Sequence, residues 1–223
     1  FRHRTFGASF ESEDYAFIDA LDKPVALWTN VLLEEGIHRN SLVHRKNVIE
    51  QHVMDLPDFN DKGAWATKYV DRLENISKQS ENLEEVKKIL AKLKSQDATN
   101  QYTIAIYEQV SALVEYNFKA LKKIEAFDLA ITADEEIIIL FELQELIQKF
   151  GTFRQEFEKV YSQSRILNKP ENYILDQDHH NHPANQSVNF DWQFISEILF
   201  LEKVNTHFKT KTVWQEGTNT KLN

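Results

Sequence analysis

The fold is decided by the stretch Ile104-Ala105-Ile106-Tyr107-Glu108-Gln109-Val110-Ser111-Ala112-Leu113-Val114-Glu115-Tyr116-Asn117-Phe118-Lys119-Ala120-Leu121-Lys122-Lys123-Ile124, together with Thr132-Ala133-Asp134-Glu135 a short way on. In the first stretch Ile104, Tyr107, Val110, Leu113, Val114, Phe118, Leu121 and Ile124 recur every three or four residues, and Leu129 continues the series. That interval places side chains on one face of an α-helix. The second stretch is a capping box, in which the Thr hydroxyl accepts from the N–H three residues on and the Glu reaches back to the Thr N–H. One long amphipathic helix therefore stops near residue 130 and another starts almost at once.

Working outward, the same period continues on both sides. Leu83, Val86, Ile89, Leu90 and Leu93 line a preceding helix, with Asn82 and Glu85 as a capping arrangement at its start. Before that, Trp65, Tyr69, Leu73 and Ile76 share a face, and Leu56-Pro57-Asp58 reads as a turn. Asp97 or Thr99 is placed to cap the long helix. Near the N-terminus Ser12 opens a pattern through Tyr15, Phe17, Ile18 and Leu21, which Asp22-Lys23-Pro24 breaks. Pro24 then suits the first turn of a second helix through Val25, Leu27, Trp28 and Val31 to Leu33, ending at Gly36. Beyond the capping box, Ile138 and Phe141 lead to Phe150, Phe153, Phe157, Val160 and Tyr161, with Gly151 as a kink or stop. A last helix runs from about Asp191 to Phe208, with Trp192, Ile195, Ile198, Leu199 and Val204 inward.

Amphipathic helices joined by short connections predict an all-α protein, an antiparallel helical bundle with a long irregular loop at 166–190 before the last helix. Residues 1–60 read as a short-helix segment packed on the bundle, 61–208 as the bundle and 209–223 as a polar tail. The composition agrees, since 223 residues with only 5 Gly and 4 Pro leave little for the turns of a sheet protein. The apolar stripes are wider than a heptad seam.

A net charge of −9 argues against non-specific nucleic-acid binding and against attraction to an anionic membrane. Cysteine is absent, which excludes disulfides, zinc–thiolate sites and thiol catalysis. No apolar run approaches the ~18–20 residues of a membrane-spanning helix. The opening Phe1-Arg2-His3-Arg4 has neither an initiator Met nor a signal-peptide pattern, and reads as a segment of a longer protein.

The densest constellation of reactive side chains is Asp176-Gln177-Asp178-His179-His180-Asn181-His182. Imidazole and carboxylate together suit a transition metal, and Asp176, Asp178, His179, His180 and His182 are its candidate ligands. The spacing matches no helix-borne site such as His-Glu-x-x-His. Asn and Asp side chains folding the loop onto its own backbone account for the same residues. A third reading makes the loop a docking segment, with Tyr173, His179, His182, Asn185 and Trp192 as contact residues. His44 and His52, eight apart, share a face if their segment is helical. Glu34-Glu35, Glu84-Glu85, Glu135-Glu136 and Glu142 with Glu145 read as solvated helix faces, and no catalytic residue is singled out. Inward Glu-x-x-His pairs of a di-iron bundle, phosphate-binding Gly loops and Gly-x-Ser-x-Gly are all missing, and no cofactor is expected. Trp28, Trp65, Trp192 and Trp214 can stack on sugar faces, though helical spacing assigns Trp65 and Trp192 to the core.

Phe153-Arg154-Gln155-Glu156-Phe157, Ser164-Arg165 with Lys169-Pro170, the Asn185-Gln186 loop and Asp191-Trp192-Gln193 resemble the helical region that follows the catalytic barrel in bacterial β-N-acetylhexosaminidase-type glycoside hydrolases. The opening Phe6-Gly7 is similar in style. The likeness covers the last third of the chain; the rest is alike in architecture only. In that family the catalytic Asp-Glu pair lies on the barrel, so the resemblance carries no catalytic residue to this chain. It implies an accessory domain beside a sugar-cleaving domain, in the periplasm or at the cell surface.

Three functions follow as expectations. The first is a non-catalytic helical accessory domain of a larger, carbohydrate-active bacterial enzyme, partnered by a neighbouring catalytic domain of the same chain and by carbohydrate. The second is a free-standing helical interaction module, which requires an exposed apolar patch on the bundle; for the chain as such the cytoplasm is the alternative to the periplasm or cell surface. The third is a metal-dependent enzyme built on the Asp/His loop 176–182.

Overall fold

The computed structural model describes residues 16–38, 42, 46–95, 101–163 and 194–211. Within them the chain forms seven helices and no strand: α1 (Ala16–Trp28), α2 (Lys46–Gln51), α3 (Ala64–Lys68), α4 (Val70–Ser95), α5 (Gln101–Leu129), α6 (Ala133–Tyr161) and α7 (Ile195–Phe208). It is an all-α helical bundle. The long helices α4, α5 and α6 pack in sequence, α4 on α5 and α5 on α6. Helix α1 lies against both α4 and α5, and the short α2 and α3 rest on α7 and α5 respectively.

Helix α7 is buried nearly all round, with Ile195, Ile198, Leu199, Phe200, Leu201, Val204 and Phe208 all in the core. A helix apolar on every side belongs inside. Its two ends are seated on aromatic clusters. Phe194 meets Phe150, Phe153 and Phe157 of α6 edge to face, with ring centres 5.3–6.4 Å apart. Phe208 meets Phe127 of α5 at 4.9 Å and Phe59 at 5.8 Å. Such edge-to-face pairs add to the burial that rings of this size already contribute.

The capping box forms as the residues require, with Glu135 N donating to Thr132 Oγ1 at 3.2 Å and Thr132 N donating to Glu135 Oε2 at 3.1 Å. Helix α3 is capped from outside. Its N-cap Gly63 has φ 78°, a left-handed conformation open to glycine, and no side chain to cap with. Asp128 of α5 supplies the missing acceptor, taking the Ala66 N–H at 2.8 Å.

Several sequence expectations are corrected. Pro24 does not start a new helix; α1 runs through it. The buried Phe17, Leu21 and Pro24 hold the helix in place, outweighing the lost N–H. The segment after Trp28 is not helical to Gly36. Glu34 N donates to His52 O and Met54 N to Leu32 O, around an isolated bridge between Leu33 and Val53. Asn82 does not start a helix either, because α4 is continuous from Val70 to Ser95. Its amide donates to Gln79 Oε1, and Gln79 donates to Asn75, so the polar side chains satisfy one another along the helix. Gly151 is buried within α6 and does not end it. Leu129, Ile138 and Phe141, assigned to core faces by period, are exposed. The candidate caps Asp97 and Thr99, the loop at 166–190 and the start of the last helix at Asp191 and Trp192 lie outside the described residues.

Candidate functional site

Two features stand out from the packing, one inside the bundle and one on its surface. The interior feature is centred on Glu197, in the first turn of α7 and only 2% exposed. Its Oε1 accepts from Trp28 Nε1 of α1 at 3.0 Å and from Asn117 Nδ2 of α5 at 2.9 Å. Three helices distant in sequence thus converge on one carboxylate oxygen. Oε2 is buried and has no hydrogen-bond partner among the described residues. Nearby, Tyr116 donates to Leu146 O of α6 at 3.2 Å. Burial, and then the charge of Glu197, push its phenol well above the ordinary range, so it stays a neutral donor. A carboxylate enclosed in this way ties helices together.

A second tether holds the N-terminal part of the chain. Arg72 of α4 donates through Nη1 to Val31 O at 2.9 Å and to Leu33 O, and its Nη2 pairs with Glu35 at 2.9 Å. Its guanidinium also lies over the Tyr69 ring, 5.3 Å from the centroid. The fork geometry of Arg lets one side chain collect two carbonyls and a carboxylate.

The surface feature lies at the junction of α5 and α6. Ile131, in the connecting loop, is 92% exposed, Ile138 59% and Phe141 51%. Leu129 and Ile137 are exposed beside them in sequence. The core of α6 is made instead by Leu140, Leu143, Ile147 and Phe150. Helix α6 packs chiefly on α5, and Ile138 and Phe141 lie on the exposed side of its first turns. Single exposed apolar side chains are ordinary; here Ile131, Ile138 and Phe141 are more than half exposed within eleven residues of one hairpin end, while Leu129 lies toward Gly63 and the α3–α4 side.

Acidic residues frame this group. Asp134, Ile138, Phe141 and Glu145 follow at intervals of four, three and four, which is one stripe along the outside of α6. Glu135 is engaged in the cap and Glu142 is paired with Lys123 of α5. Glu136 is held between Lys62 at 2.8 Å and Lys211 at 3.2 Å. Asp134 and Glu145 form no ion pair among the described residues.

The candidate loop residues Tyr173, Asp176, Asp178, His179, His180, His182, Asn185 and Trp192 lie outside the described residues, as do His44 and Trp214. His52 sits against Glu34, with Nδ1 3.5 Å from Oε2. Trp65 is core and donates to Asp55 O at 2.7 Å. Among the described residues no group of three or more His, Asp or Glu is disposed to hold a metal ion, and no helix is long and apolar enough to cross a membrane. Sequence reasoning missed Glu197 and Asn117. A signal was present, since Glu197 is the lone charge in Phe194-Ile195-Ser196-Glu197-Ile198-Leu199-Phe200-Leu201. No protein-family model matches the chain, and neither curated proteins nor solved structures give a significant match.

Proposed function

We propose that this chain is a non-catalytic helical interaction module that docks through the exposed apolar face at the α5–α6 junction. The observation that carries the reading is the exposure of Ile131, Ile138 and Phe141 on an edge helix whose own core is already complete without them. Leaving such side chains in water forgoes roughly 1.5–3 kcal/mol each relative to burial, a loss that a partner recovers. The interior supports the same reading. Its buried carboxylate, Glu197, joins α1, α5 and α7 through Oε1.

The test compares the full chain with Ile138→Asp and Phe141→Asp. Both positions are exposed, so circular dichroism and the unfolding midpoint should hold. A protein captured by the wild type is purified and titrated calorimetrically against all three. We expect defined stoichiometry and at least roughly tenfold weakening by either substitution, the scale of a central contact residue. Equal binding by wild type and both variants would sink the reading.

The resemblance to helical regions of bacterial β-N-acetylhexosaminidase-type enzymes supports a second form of the proposal, in which the docked surface is a catalytic domain of the same chain. An open reading frame that encodes a barrel with paired carboxylates upstream is expected on that form. A frame confined to these residues would rule it out.

A further inference from the structure

We infer that the occupant of the α6 face is a basic amphipathic helix of another protein. Its apolar side chains would cover Ile138 and Phe141, with Lys or Arg reaching Asp134 at one end and Glu145 at the other. The inference rests on the docking reading above and adds the chemistry of the partner. Asp134 and Glu145 bracket the apolar pair on one stripe, eleven positions apart, which is about 16 Å or three turns along the helix axis. Neither is neutralised within the described residues, whereas the neighbouring Glu136 and Glu142 have their lysines. An apolar pair between two unpaired carboxylates is complementary to an apolar pair between two cations at the same spacing.

The same stripe argues against the other occupants. A second copy laid antiparallel would set Asp134 against Glu145, and laid parallel would set each against itself. In these two registers like charges meet, on a chain of net charge −9; an antiparallel copy shifted by one turn would bring the exposed Lys149 to Asp134 instead, and ultracentrifugation distinguishes that occupant. An anionic membrane surface is repelled by the same two carboxylates.

The experiment is a selection from a displayed library of helical peptides, using the full chain as target and Ile138→Asp as counter-target. Selected sequences should carry Lys or Arg about three turns apart around Leu, Ile or Phe. A synthetic peptide of the selected sequence should bind the wild type and lose roughly tenfold or more in affinity on Ile138→Asp. The double variant Asp134→Lys with Glu145→Lys should weaken it about fivefold and flatten its salt dependence, the size expected of two rim ion pairs.

Selected peptides that need Ile138 but show no basic excess would overturn this inference and leave the docking reading standing. Peptides indifferent to Ile138→Asp would overturn both. Two companion measurements close the alternatives. A concentration-dependent dimer abolished by Ile138→Asp in analytical ultracentrifugation would make the occupant a second copy. Binding to vesicles of phosphatidylcholine and phosphatidylglycerol, lost in the same variant, would make it a membrane surface.

Discussion

At the residue scale, the most constrained group is Glu197. A carboxylate this deep is tolerable only when its neighbours donate to it, and Trp28 and Asn117 both donate to one oxygen. Removing one donor leaves the other in place, while removing both strips the acceptor of partners. Trp28→Phe and Asn117→Ala should each cost about 1–3 kcal/mol in urea unfolding, the range for losing a buried hydrogen bond. The double variant should cost more than the sum, because the two donors share an acceptor. Strict additivity would show that the oxygen finds another donor. Arg72 is a comparable case at the rim, where burial lowers the guanidinium pKa and Glu35 counters it. A lysine there could not reach both carbonyls and the carboxylate.

At the element scale, α1 and α6 show how packing overrides local rules. Pro24 lies inside α1, where it cannot bond to the carbonyl of Ala20 one turn back. The helix persists because its apolar side is held by α4 and α5. Pro24→Ala restores the N–H and should stabilise the chain by up to about 3 kcal/mol, less the contribution of the buried ring. A lower urea midpoint for Pro24→Ala would mean that the packing of the ring dominates. In α6 the run Ile137-Ile138-Ile139-Leu140-Phe141 places apolar side chains on every face, so period alone cannot say which of them go inward. Packing on α5 selects Leu140 and leaves Ile138 and Phe141 to solvent.

At the scale of the whole molecule, closure of the bundle creates a pH dependence. His207, near the end of α7, bonds through Nε2 to Pro57 O at 2.9 Å and lies against Phe59, 4.5 Å between ring centres. Burial holds its imidazole below the usual 6.5; Lys203 and Lys211 add to this, while Pro57 and Asp58 oppose it. The unfolded chain takes up a proton near pH 6.5 that the folded chain resists. Stability from this site is therefore complete above that pH and is lost as pH falls through the lower folded value, at no more than about 1.4 kcal/mol per pH unit. The melting temperature should fall between pH 7 and 5.5, and His207→Gln should flatten that fall. An unchanged slope in the variant would assign the effect elsewhere. Below about 4.5 the carboxylates with depressed pKa values take over, as Glu136 loses the charge that Lys62 and Lys211 hold. The sequence by itself determined the all-α class, the Thr132 cap, and the core faces through Trp65, Leu73, Leu83 and Leu121, because helical period and capping chemistry are local. Only the tertiary structure decided that α1 passes through Pro24, that α4 runs unbroken past Asn82, that Glu197 joins three helices, and that Ile138 and Phe141 face water. Each of these depends on which surface of one helix meets another, and that contact brings together residues far apart in the chain.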